Sequence, residues 1–213
     1  MHKLSVILGA SVLCAGTVVA QGFSRAPLNV GDKFTLLEEQ VFGPRSTVIT
    51  GLAAGIRTAR EPSSYPQAWS DGKGAFARHF GDNYARHAAQ NTARFVVSAL
   101  RHEDPRYLPA ASGSVLGRAL HAAGFVFADC NDGGHRTLAV ANFAGAAASG
   151  LVGDAYLPDG FRDATHTRQR ALVSLASMAG RNLAQEFAPD ITRVLRRFHI
   201  GHGAGIPAWW TTK

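Results

Sequence analysis

Residues 75–109 read AFARHFGDNYARHAAQNTARFVVSALRHEDPRYLP, and the fold turns on whether they form one long helix closed by a polar turn. Phe76, Phe80 and Tyr84 recur at i, i+4 spacing, and Phe95 and Ala99 return to nearly the same side. Arg78, Asp82, Arg86 and Gln90 make a polar stripe with arginine–aspartate pairs one turn apart. The pattern predicts a helix from Ala75 to Arg101 that buries the aromatic side and turns the charged stripe to the surface. Exposed pairs contribute only about 0.3–0.5 kcal/mol each, so the apolar side is expected to supply the stability. Pro105 cannot continue the helix and pushes Asp104 toward extended angles. Arg101 and His102 then sit at the negative end of the helix dipole.

The polar turn itself, HEDPRY at 102–107, has two readings. In the first, His102, Asp104, Arg106 and Tyr107 are a structural cluster. Asp104 accepts from arginine or backbone donors, Arg106 offers a planar fork, and Tyr107 adds a ring with one hydroxyl. In the second, Asp104, Arg106, Tyr107, Asp132 and His135 are a catalytic set, because carboxylates and imidazole shuttle protons and bind metals. Spacing favours the first. His102, Glu103 and Asp104 are adjacent and cannot all point one way, and no H-E-x-x-H or paired-cysteine motif is present.

Outward from this stretch, Asp32 is expected to cap a short helix through Phe42, and Pro44 to open another that ends before Pro62. Residues 62–74 read as a loop. A further helix starts at Ser112 or Ser114 and runs through VLGRALHAAGFVFA until DCNDGGHR breaks it. Helices over about 138–155 and 165–187 follow, and Pro189 opens a last short basic helix. The fold class is all-α, a compact bundle of about five to six helices. The alternative for 125–142 is a short β-hairpin around Asn131–Gly134, since Asp-Gly and Gly-Gly are hairpin signals.

Four segments carry small residues every fourth position: Gly51, Gly55 and Ala59; Gly113 and Gly117; Ala141, Gly145, Ser149 and Gly153; and Ala176, Gly180 and Ala184. Glycine inside a helix costs roughly 1 kcal/mol against alanine. Repetition on one ridge therefore predicts close helix–helix approach as the compensating gain. The longest nearly uncharged run, 138–153, would be about 24 Å as a helix, short of the roughly 20 apolar residues a span requires.

The first twenty residues, MHKLSVILGASVLCAGTVVA, have a basic start, an apolar centre and small residues at Val18 and Ala20, as a secretory signal peptide does. Cys14 follows Leu13, a poor lipobox. The organisation expected is a signal peptide at 1–20, one helical domain at 21–198 and an irregular tail at 199–213. Cys130 would then be the sole cysteine of the mature chain, leaving no intramolecular disulfide. The formal charge is +7 over the whole chain, one less without Lys3. In an exported chain this favours anionic lipid, polysaccharide or another envelope protein as partner over nucleic acid. Trp209 and Trp210, near Arg193, Arg196 and Arg197, would suit contact with a membrane surface.

Other chemistry is thinly marked. DCNDGGH matches a calcium loop at its first and third positions, then fails at Gly133 and at Val140, where a glutamate belongs. His199 and His202 form an isolated H-x-x-H pair, and Cys130 has no partner that would activate it. There is no G-x-S-x-G elbow. No cofactor or metal is implied.

The strings HEDPRY (102–107), GSVLGRALHA (113–122), DGG (132–134), NFAGAAASG (142–150), AYLPDGFR (155–162) and NLAQEFAPD (182–190) occur together. With them the chain resembles an uncharacterised family of exported bacterial helical proteins marked by a D-P-R-Y motif, over roughly 41–190. Ala188 stands where that family usually has an aromatic. The resemblance implies export to the envelope and a helical fold, with no activity or cofactor attached. The expected function is that of a non-enzymatic exported cell-envelope protein, structural or interacting, in the periplasm or at the outer membrane. The alternatives are a periplasmic hydrolase using the Asp/Arg/Tyr/His set, and a homo-oligomer inserting into membranes through its glycine ridges.

Overall fold

A computed structural model describes residues 26–60, 65–110 and 112–197. The segment expected to be a signal peptide, the tail with Trp209 and Trp210, and the H-x-x-H pair lie outside these residues. The chain is a compact helical bundle with a small antiparallel sheet. Its elements are α1 (Val30–Phe42), α2 (Pro44–Arg60), the single turn α3 (Gln67–Ser70), α4 (Ala75–Arg101), β1 (Glu103–Asp104), α5 (Val115–Gly124), β2 (Ala128–Asn131), β3 (Arg136–Leu138), α6 (Val140–Leu151) and α7 (Ala164–Arg197).

Local chemistry accounts for most boundaries. Asn29, rather than Asp32, caps α1: its side chain accepts from the Asp32 N–H, and Asp32 accepts in return from the Asn29 N–H, a reciprocal capping box. Ser114 caps α5 by accepting from the Gly117 N–H. His102 ends α4 in the left-handed region at φ 56°. The helix expected through 128 stops at Gly124, and the hairpin alternative is what forms there. β2 pairs with β3, and β1 adds to the other edge in the order β1-β2-β3. Gly134, at φ 79°, supplies the turn. Conversely, no break occurs before Pro189. It sits inside α7, which stays helical although proline gives up one backbone hydrogen bond.

The largest departure from expectation is the facing of α4. His79, Asp82, Arg86, Gln90 and Asn91 are buried, while Phe76 is 48% and Leu100 76% exposed. The polar stripe points inward. Both stripes share the helical period, so the deciding factor is which one finds partners. Arg86 donates to the Ser149 and Arg170 carbonyls, and Gln90 accepts from the Ser174 hydroxyl. These contacts set α6 antiparallel and α7 parallel to α4. Lys33 of α1, itself buried, reaches the Ser98 carbonyl, and the Gln40 carbonyl meets His87 Nε2 at 2.8 Å. Burial, with Arg181 adding to it, lowers His87 to about 4, so the ring is neutral and donates.

The small residues of α6 make room for this arrangement. A Cβ on Gly145 would lie 2.5 Å from Arg94 Cγ and 2.7 Å from the Gln90 carbonyl. One on Gly150 would lie 2.6 Å from the Thr167 carbonyl, and one on Gly153 2.8 Å from Arg170 Nε. Ser149 is buried beside them. The ridge thus receives arginine stems and backbone from α4 and α7, not a second glycine ridge. The other glycines sit differently. Gly51 only grazes Phe80, and Gly55 and Gly180 have open space around a Cβ. Gly113 precedes its helix at φ 138°, and Gly117 meets only Ser114 Oγ within 3.4 Å.

Gly145→Ala is therefore expected to destabilise the chain by about 1–3 kcal/mol through overpacking. Gly180→Ala is expected to stabilise it by roughly 0.5–1 kcal/mol through helix propensity. Urea unfolding of both variants beside the parent checks the opposite signs.

Candidate functional site

Asp82 lies at the centre of the buried stripe, its side chain fully excluded from solvent. Oδ2 accepts from Arg57 Nη1 at 2.8 Å and from the Tyr65 hydroxyl at 2.5 Å. Oδ1 accepts from the Tyr156 hydroxyl at 2.7 Å. Arg86, one turn on, is 3.7 Å from Oδ2. Burial raises both tyrosine hydroxyls above their usual value, so both stay protonated and donate. Trp69 stacks on Tyr156 at 6.3 Å, and His79 meets the Tyr65 ring edge-on at 5.4 Å. Neither ring nitrogen of His79 has a partner among the described residues, and burial lowers its pKa, so it remains neutral.

Beside this centre lies a cavity of about 190 Å³, lined by Arg57, Tyr65 and Arg86 with His166, Gln169 and Arg170 of α7. Arg170 is buried and ion-paired with Asp154, and it donates to the Gly150 and Phe161 carbonyls at 3.0 and 2.8 Å. His166 Nδ1 is 2.8 Å from Asp163.

A second polar centre surrounds the sheet. Glu103, 1% exposed, accepts from Arg101 Nε at 2.8 Å and from the Ala141 N–H at 2.9 Å, which caps the start of α6. Asp129 on β2 is buried, and its Oδ1 has no partner among the described residues. Burial, and then the Glu103 charge, raises it to about 7. Arg94 bridges the region, donating to Asn142 Oδ1 at 2.9 Å and to the Pro105 carbonyl at 3.2 Å.

The residues singled out from sequence fall into separate contacts. Asp104 takes a forked pair from Arg106, with Nη2 at 2.6 Å and Nε at 2.9 Å, and also accepts the Arg106 N–H. Tyr107 turns away and donates to Glu186 at 2.8 Å. Glu186 also accepts from the Ala110 N–H and Arg118 Nε, tying the turn to α5 and α7. Asp132 is held by Lys33 at 2.9 Å, and the exposed His102 side chain stands 3.6 Å from it. His135 is exposed on the hairpin loop. Asp104 and Asp132 thus answer to different cations. Among the described residues no three His, Cys, Asp or Glu side chains gather as metal ligands. The Asp82 centre was missed because Arg57, Tyr65 and Tyr156 are far away in sequence. Only the Asp82–Arg86 spacing points to it, and the helical period by itself puts that pair at the surface.

A raised native pKa means that the folded state holds its proton more tightly. From about pH 4 to 7 the Asp129 contribution therefore makes stability fall as pH rises. Asp129→Asn is expected to flatten that decline and to stabilise the chain above pH 7 by a few kcal/mol, on the order of 1.4 per pKa unit. Denaturant titrations at pH 5 and 8 check it. Asp82→Ala leaves Arg57 and Arg86 without their counter-charge and is expected to cost about 3–5 kcal/mol, measured in the same way. Compared with protein-family models, curated proteins and solved structures, the chain finds no match in any of the three.

Proposed function

We propose that this chain is a non-enzymatic component of the bacterial cell envelope, exported behind its first twenty residues, that works at an anionic membrane surface. The observation that carries the proposal is the outer face of α2. Val48, Leu52 and Ile56 follow one another at i, i+4 spacing and are all exposed, Leu52 by 64%. Burying a side chain of this size stabilises by about 1.5–3 kcal/mol, so an open stripe of three favours contact with an apolar phase. The charged residues of α2 are Arg45, Arg57 and Arg60, with no carboxylate among them. Arg57 is turned inward to Asp82, and a helix with an apolar outer stripe and no carboxylate of its own suits the interface of an anionic bilayer. Leu116 and Leu120 of α5 and Val96 and Leu100 of α4 make further exposed pairs at the same spacing. None of the helices described is long and apolar enough to cross a membrane, which agrees with contact along the surface.

Floating the mature chain with phosphatidylglycerol and with phosphatidylcholine vesicles tests this. Binding is expected to the anionic vesicles and to weaken with salt. Leu52→Glu, at an exposed position, should keep the helical circular dichroism and lose about tenfold or more in binding. A chain that stays in the supernatant with anionic vesicles, or a Leu52→Glu variant that binds like the parent, would contradict the proposal.

A further inference from the structure

Among the described residues, the cavity beside Asp82 has three arginines on its wall and two carboxylates paired with them. Arg57 and Arg86 share the single carboxylate of Asp82, and Arg170 is matched by Asp154. Arg86 is 6% exposed, and each of its three nitrogens reaches a neutral oxygen: Ser149 O at 3.4 Å, Tyr65 Oη at 3.1 Å and Arg170 O at 3.1 Å. A guanidinium has five N–H groups, so two remain without an acceptor among the described residues. Arg57 uses only Nη1, for both Asp82 and Tyr65, and its Nε and Nη2 are likewise without an acceptor there. A desolvated cation in this state gains most from an anion that brings several oxygens at once.

We propose that this cavity is a binding site for a phosphate group carried on a small ester. Arg57 and Arg86 bring unused N–H groups from two helices, and Arg170, already held by Asp154, stands beside them on a third, a disposition that suits a tetrahedral oxyanion better than a flat carboxylate. About 190 Å³ admits the phosphate with a short polar substituent. His166 and the exposed Gln169 stand at the wall next to solvent, where the substituent would leave. The site stands apart from membrane association, because soluble esters suffice to occupy it. The same chemistry is found on free phosphate esters and on phospholipid headgroups, and the probes separate the two.

The test is calorimetric titration of the full mature chain with sn-glycerol 3-phosphate, with glycerophosphoglycerol, and with short-chain phosphatidylglycerol below its micelle concentration. Saturable binding of at least one probe is expected. Gln169→Glu, which adds a negative charge at an exposed position, should weaken binding about tenfold or more, while Gln185→Glu, the same change at an exposed position of α7 outside the cavity, stays near the parent. Circular dichroism verifies that both variants fold. Binding of the soluble esters assigns the site to free phosphate compounds, and binding of the acylated probe alone assigns it to a lipid. No binding of any probe, or equal binding by the parent and Gln169→Glu, would overturn the proposal. Failure here leaves the Leu52 experiment untouched, since that experiment reads the opposite face of α2.

Discussion

A carboxylate sealed from water must have its charge matched by neighbours, and Asp82 is the point where this bundle meets that requirement. Its two oxygens are taken by one arginine and two tyrosines, with a second arginine just beyond. Those partners come from α2, from the segment before α3, from the segment after α6, and from α4 itself. Four stretches of chain are thereby fixed around one charge. Removing a single partner of a buried pair leaves the other uncompensated, which makes the centre cooperative: the arginines stay inside because Asp82 is there, and Asp82 because they are.

The interior that results is unusual in composition. Polar and charged side chains such as Glu103, Glu186, Arg170 and Lys33 are buried, while Phe42, Leu52 and Leu116 face outward. Alanine is the most frequent of the buried apolar residues described, with Val41, Val126 and Leu157 the few branched aliphatic ones. Hydrogen bonds within such a core are individually modest in net effect, about 0.5–1.5 kcal/mol, but leaving one unmade is expensive. The fold is consequently specified more by satisfied polar geometry than by the volume of hydrophobic contact. The same inversion supplies the apolar outer faces on which the envelope proposal rests.

Much of this architecture can be read from the residues, and the unread part has a clear physical origin. The extent of α4 follows from its period and from Pro105. The cap at Ser114 and the glycine turn at 134 are local, so neighbouring residues declare them, whereas the cap of α1 is Asn29 and not the expected Asp32, because the two bond reciprocally and either type suits the position. Asp104 and Arg106 are two residues apart, and their pairing was legible for the same reason. Which face of α4 is inside was not, because apolar and polar stripes repeat with equal regularity and only distant partners decide between them. Pro189 misled for a related reason: packing of α7 along the bundle outweighs the loss of one backbone bond. Tyr107 finds Glu186 and Asp82 finds Tyr156 across more than seventy positions, distances at which spacing carries no information.

The inward turn of the charged stripe is the claim beneath all the others, and carboxyl footprinting read by mass spectrometry tests it most directly. Native chain would be treated with a carbodiimide and an amine, and modification followed residue by residue. Asp82, Glu103 and Glu186, sealed within the bundle, should stay unmodified while Asp159, whose side chain is 89% exposed, reacts readily. Modification of Asp82 as fast as Asp159 in the folded chain would place the stripe in water and contradict the account.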